Sequence, residues 1–269
     1  MGIVNVNDDS FCGDGSLVTA EAIAAARAQA AAGADVIDVG AESARTNRDA
    51  IPIEEEIRRF RGVLESWHEV VADNAPRDAE QVWPPVLSAN TWRPEVVRGV
   101  LEVAVVELVN DMGALPDDRN ARLCADAGAA LLIMHSVGEP KTPRFGQRWA
   151  DVMAELERFF IKKRRMAEEA GLPADATVLD PGIDFAKQRD DNLAIYRNLG
   201  RIAALGRPVL APVSRKTVIG EVLGLPDPRE RDAGTIACVA AGMARGASIF
   251  RVHDVEAAWQ SVKALEALR

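Results

Sequence analysis

"AGADVIDVGAESART", Ala32 to Thr46, decides how the chain is read. A helical pattern stops at Gly33, and a short apolar run, Asp35–Val39, starts at once. A glycine at that point closes a helix, because it takes the left-handed backbone that other residues resist. Asp38 closes the run, and Glu42, Ser43 and Arg45 follow in a loop. "AGAA" at 127–130 and "RGAS" at 245–248 repeat the helix–Gly–strand step at Gly128 and Gly246. Repetition of that step is the αβ half of a parallel βα unit.

Working outward, eight apolar runs read as strands: Gly2–Val6, Asp35–Val39, Val86–Ala89, Glu107–Val109, Ala130–Met134, Thr177–Leu179, Pro208–Ala211 and Ser248–Arg251. Helical patterns lie near 18–32, 54–72, 93–102, 118–127, 148–170, 190–204, 231–246 and 254–268. Eight strand–helix pairs in 269 residues predict an α/β fold, a single-domain (β/α)8 TIM barrel over 1–269. A doubly wound open sheet is the competing arrangement. The polar stretch at 72–85 reads as a surface loop, not a domain boundary.

The composition is ordinary for a soluble globular protein. The apolar fraction is 48% and the net charge −9. That acidity argues against a general nucleic-acid or membrane-surface binder, which needs a basic face. Cys12, Cys124 and Cys238 form no CxxC pair and are odd in number, so neither a disulfide frame nor a zinc site is read. The expected compartment is the cytoplasm, since no signal peptide or membrane span is evident.

A barrel places its chemistry at the C-terminal strand ends. Those ends are polar here. The first carries Asn5, Asn7, Asp8, Asp9 and Ser10, then Gly13 and Gly15 in a loop expected to be mobile. These oxygens suit Mg²⁺, with Asn5 the candidate metal ligand. The third and fourth carry Asn90, and Asn110 with Asp111, which are expected to face a site. His135, on the fifth, reads as a structural histidine. Asp180 is pushed to the end of the sixth by Pro181-Gly182. The seventh ends in "APVSRKT" (211–217) and the eighth in "FRVHDV" (250–255). Asp180, Asn110 and Asn90 can pair with a flat, nitrogen-rich heterocycle. Arg45, Arg215, Lys216, Arg251 and His253 suit an anionic leaving group such as diphosphate. Strand alternation could instead point Arg215 outward, to support the loops.

From "MGIVNVNDDSF" through "GAESAR", "LVNDMGA", "LDPGIDFAK" and "SRKTVIG" to "RVHDV", the chain resembles dihydropteroate synthase, a pterin-binding (β/α)8 enzyme of folate biosynthesis. The resemblance implies a transferase that joins 6-hydroxymethyl-7,8-dihydropterin diphosphate to p-aminobenzoate and releases diphosphate with Mg²⁺. It implies that Asp180, Asn110, Asn90 and Lys216 hold the pterin. Asn5, Arg45, Arg251 and His253 would hold diphosphate, and Phe185 and Ser214 would frame p-aminobenzoate. Lys216, Asp180 and Arg251 would be the catalytic residues. It also implies a homodimer.

The departures from the family pattern fall in the site. The family usually has Asp at Asn90, Thr-Pro at Asn7-Asp8, Thr-Arg-Pro at Ala44-Arg45-Thr46, and Gly at both Asp184 and Pro212. Two readings follow: a working synthase, or a divergent homologue that binds a pterin-like heterocycle and catalyses a different transfer or none. A methyltetrahydrofolate-binding methyltransferase domain is a third, disfavoured because its substrate has no diphosphate for Arg251 and His253.

Overall fold

The computed structural model describes residues 1–8, 12–13, 15–44, 48–72 and 74–268. Its strands are β1 (Gly2–Asn5), β2 (Val36–Gly40), β3 (Val86–Asn90), β4 (Leu108–Asp111), β5 (Ala130–Met134), β6 (Thr177–Asp180), β7 (Leu210–Ala211) and β8 (Ile249–Phe250). Strands β1 to β6 pair in parallel, each with the next, and β7 pairs with β8. Two bridges close the ring. Leu179 meets Val209 between β6 and β7, where the Leu179 N–H donates to Pro208 O at 2.9 Å. Gly2 meets Val252 between β8 and β1, where the Val252 N–H donates to Met1 O at 2.9 Å. A closed parallel ring is a barrel and rules out the open doubly wound sheet.

The principal helices are Thr19–Ala31, Ile53–Glu65, Pro94–Val103, Arg119–Ala127, Val152–Glu169, Arg189–Arg197, Asp232–Met243 and Val255–Ala267. Gly33, Gly128 and Gly246 all have positive φ, as the helix–Gly–strand reading requires. Two predicted helices are broken. The 54–72 pattern stops at Glu65 and resumes as His68–Val71, and the 190–204 pattern divides at Asn198. A further helix, Thr217–Leu223, follows the SRKT stretch.

Strand alternation sorts the core into two layers. Ile37, Val39, Leu87, Ala89, Val109, Leu131, Ile133 and Leu179 face outward and pack with Phe60, Leu156 and Phe160 from the helices. Leu108, Leu132, Met134, Val178 and Leu210 fill the barrel interior, with Val36, Val86 and Ile249 against them. On five strands the interior face then turns polar towards the C-terminus. Val36 gives way to Asp38, Val86 to Ser88 and Asn90, Leu108 to Asn110, Val178 to Asp180, and Ile249 to Arg251. An apolar plug supports a polar mouth, and that mouth is where the site lies.

Candidate active site at the barrel mouth

Asp38 is the hub of the mouth. Its side chain is fully buried, and a buried carboxylate must be hydrogen-bonded or paired. Ser88 Oγ donates to Oδ1 at 2.6 Å. Asn90 Nδ2, Asn110 Nδ2 and Arg251 Nε all donate to Oδ2, at 3.2, 3.0 and 2.7 Å. Four donors, from β3, β4 and the end of β8, thus converge on one charge. With their amide nitrogens committed to Asp38, Asn90 and Asn110 each keep a buried Oδ1 that has no partner among the described residues. Two unpaired acceptors side by side are suited to N–H donors on the edge of a flat ring.

Asp180, at the end of β6, is also buried. The Gly182 N–H donates to its Oδ1 at 2.7 Å, within the Pro181-Gly182 turn. A Cβ on Gly182 would run into the His135 carbonyl, so this turn needs glycine. Burial pushes the Asp180 carboxyl up to about 6, against the pull of Gly182 N–H and of Lys216, Lys187 and Arg251. Lys216 Nζ donates to Ile183 O at 3.2 Å and lies 5.2 Å from the centre of the Phe185 ring. Burial lowers the pKa of its ammonium, while Asp184 and Asp180 raise it. Ser214 Oγ and His253 Nδ1 are 2.7 Å apart, and the His253 N–H donates to the same hydroxyl at 3.1 Å.

The SRKT turn is built from below. Arg215 has a positive φ and points away from the cavity, where Nε and Nη2 donate to Asp232 at 2.7 and 2.9 Å. The alternation argument for an outward, supporting Arg215 therefore holds. Buried Arg231 donates to the carbonyls of Arg215, Lys216, Leu225 and Pro226, at 3.0, 3.3, 3.0 and 2.7 Å. A Cβ on Gly220 would meet the Arg231 guanidinium, which accounts for the glycine in "SRKTVIG". Pro212 lies one residue past β7, beyond its paired residues, so its missing N–H leaves no ladder gap.

Asn5, Asn90, Phe185, Ser214, Lys216, Arg251 and His253 line one cavity of about 240 Å³ at this mouth, with Pro212 and Asp184 in its wall. Asn110 and Asp180 are buried at the ends of β4 and β6. Arg45, Asp9 and Ser10 lie outside the described residues. Asp111 differs from expectation. It turns away from the cavity, accepting from the Gly113 N–H at 2.7 Å and Asn120 Nδ2 at 2.8 Å. His135 is structural, as read. It packs edge-on against Trp149 and Phe159, with Nδ1 2.8 Å from the Lys187 ammonium. Burial pushes its pKa down to about 2.

Sequence reasoning named Asp38 and Glu42 without their roles, and missed Lys187. Buried Glu42 accepts from Lys141 Nζ at 3.0 Å and pairs with Arg93 at 2.9 Å, tying the loop after β2 to the loop after β5. Lys187 Nζ donates to the Gly182 and Phe185 carbonyls at 3.0 and 2.9 Å, which holds the loop after β6 in shape. For Asp38, the available signal was a carboxylate in the interior phase of an apolar run.

Among the described residues no group of three His, Cys, Asp or Glu side chains could hold a metal. Asn5, the expected metal ligand, lines the cavity at the mouth.

Comparison with known proteins converges on the same chemistry. The pterin binding enzyme family matches residues 1–253. The chain is 34% identical over 270 residues to dihydropteroate synthase of Escherichia coli K12, covering 99% of this chain and 90% of that one. It is 36% identical over 272 residues to that of Neisseria meningitidis serogroup C, covering 100% and 92%. A Xanthomonas albilineans dihydropteroate synthase solved with 4-aminobenzoic acid superposes with a TM-score of 0.85 at 35% identity, covering 100% and 92%. The same enzyme in complex with 7,8-dihydropteroate gives 0.83 at 36%, with the same coverage. The closed barrel, the polar mouth and this end-to-end likeness agree: the chain belongs to the pterin binding enzyme family.

Proposed function

We propose that the protein is a dihydropteroate synthase, which joins 6-hydroxymethyl-7,8-dihydropterin diphosphate to p-aminobenzoate and releases diphosphate. One observation carries the reading. A single cavity sets the amide of Asn90, which shares Asp38 with Asn110, beside the cations Lys216 and Arg251 and the imidazole of His253. Relatives of that name align over nearly the whole chain.

In this reading the pterin edge donates N–H groups to Asn90 Oδ1 and Asn110 Oδ1 and to the Asp180 carboxylate. Lys216 and Arg251 flank the ring. Arg251 and His253, with Asn5 and Arg45, take the diphosphate, while Phe185 and Ser214 frame p-aminobenzoate. The methylene C–O bond breaks and its electron pair leaves on diphosphate. The electron-deficient methylene is shared into the ring, and the buried anions Asp38 and Asp180 stabilise that positive charge. The aromatic amine then forms the new C–N bond and gives its proton to solvent, so no protein nucleophile is required. When bound, Mg²⁺ neutralises charge on the departing diphosphate.

The departures fit this chemistry. Asn90 has lost the family's usual charge, but its amide rests on Asp38, so an anion remains directly behind it. Pro212 lines the wall without breaking a ladder. No observation favours a different transfer. A homodimer, one barrel domain over 1–269 and a cytoplasmic location complete the proposal; no helix among the described residues is long and apolar enough to cross a membrane. Incubation with the pterin diphosphate, p-aminobenzoate and Mg²⁺ tests it. Diphosphate release that depends on p-aminobenzoate is expected, and no release above buffer would overturn the reading.

A further inference from the structure

Asp184 stands where the family usually has glycine, with a φ of 69° that Gly adopts freely and Asp tolerates. Its carboxylate is fully occupied. Oδ2 accepts from the Thr217 N–H at 2.6 Å, and Oδ1 from the Val218 N–H at 3.3 Å. These are the first N–H groups of the helix Thr217–Leu223, whose own N-cap residue, Lys216, supplies no side-chain cap. Exposed first-turn N–H groups need an acceptor, and here it comes from another loop. Asn192, on the helix Arg189–Arg197, completes the joint. Its Nδ2 donates to Asp184 Oδ1 at 3.0 Å, and its Oδ1 accepts from the Asp184 N–H at 3.0 Å.

The neighbours of Asp184 extend the same seam. Ile183 O accepts from Lys216 Nζ, and the Phe185 ring faces that ammonium. Three consecutive residues of the loop after β6 therefore hold Lys216 and Thr217. We propose that Asp184 is a positioning residue for the aromatic-amine subsite: by tying the loop after β6 to Thr217 and Val218 it holds Phe185 in place in the cavity wall. The proposal rests on the synthase reading. It makes the Gly-to-Asp departure an added clamp between two loops. Of the ring-holding residues, Asn90 and Asn110 hang on Asp38, Asp180 on Gly182, and Lys216 on the Ile183 carbonyl, so the effect of Asp184 falls on the second substrate.

The test compares the full-length wild type with Asp184→Gly and Asp184→Asn. Glycine removes the carboxylate while accepting the φ, so the variant folds. Asparagine also tolerates that backbone, and its amide oxygen can still accept from Thr217. For Asp184→Gly the KM for p-aminobenzoate should rise about tenfold, with the KM for the pterin diphosphate within about twofold. Asp184→Asn should return to within about threefold of wild type. Amide hydrogen exchange at Thr217 and Val218, which needs no turnover, should quicken in Asp184→Gly and stay near wild type in Asp184→Asn. Equal rises in both Michaelis constants, or unchanged exchange in Asp184→Gly, would overturn the proposal. If the wild type shows no turnover, the synthase reading fails and the positioning role fails with it; the exchange rates then report on the joint alone.

Discussion

Asn90→Asp restores the residue usual in the family and puts the electrostatics of the mouth to a quantitative test. Asn90 Nδ2 lies 3.2 Å from Asp38 Oδ2. In the variant a second carboxylate oxygen takes that place. Two unit charges at this spacing repel by about 5 kcal/mol at an effective dielectric of ~20. The pair escapes by taking up one proton, which belongs to both carboxyls. One macroscopic pKa is thereby raised above its unfolded value of about 3.9, and holding that proton at pH 7 costs up to about 4 kcal/mol. Arg251 already pairs with Asp38 and returns part of this. The expected loss of folding stability at pH 7 is therefore about 2–4 kcal/mol. The sign follows from the raised pKa. Variant and wild type should match below about pH 4, and the gap should open as pH rises towards 7. Urea denaturation of both proteins across that range measures the gap. Calorimetry in buffers of different ionisation enthalpy should show the variant releasing a proton when pterin binds, because ring N–H donors take over its role. A variant as stable as wild type at pH 7, with no pH-dependent gap, would refute the close approach of Asp38 to position 90.

Three further outcomes follow from the same geometry. Lys216→Ala removes the cation between Asp180 and Phe185 and should lower kcat/KM by about 10²–10³ in a steady-state assay of dihydropteroate. Arg231→Gln leaves the carbonyls of Arg215, Lys216, Leu225 and Pro226 without their shared donor; denaturation should show a loss of about 2–4 kcal/mol, and kcat/KM should fall with it. Asp180 acts as a carboxylate with its pKa raised to about 6, so activity should be lost as pH falls through 6, by about tenfold per unit in kcat/KM below it. Asp180→Asn should remove that acid limb and lower the plateau.

Much of the barrel was legible because its signals are local. Gly33, Gly128 and Gly246 announced helix ends, and eight apolar runs announced strands. Errors arose where local rules meet the mouth. The predicted third, fourth and sixth strands stopped at the last apolar residue, yet the strands run on through Asn90, Asp111 and Asp180. The site residues are polar because of the cavity, while their backbone still pairs. The helix Thr217–Leu223 was missed because its cap, Asp184, lies 33 residues away in sequence. The Asp38 hub escaped for the same reason: its donors come from β3, β4 and the end of β8. Sequence alternation can say that Asp38 faces inward; only closure of the ring brings Arg251 to it.

The most direct test of the central claim is a single turnover with enzyme in excess over pterin diphosphate, quenched and analysed for every pterin species. With p-aminobenzoate and Mg²⁺ present, we expect bound pterin diphosphate to convert to 7,8-dihydropteroate, one diphosphate appearing for each. Bound pterin recovered unreacted, or converted only to the hydroxymethyl pterin, would contradict the account.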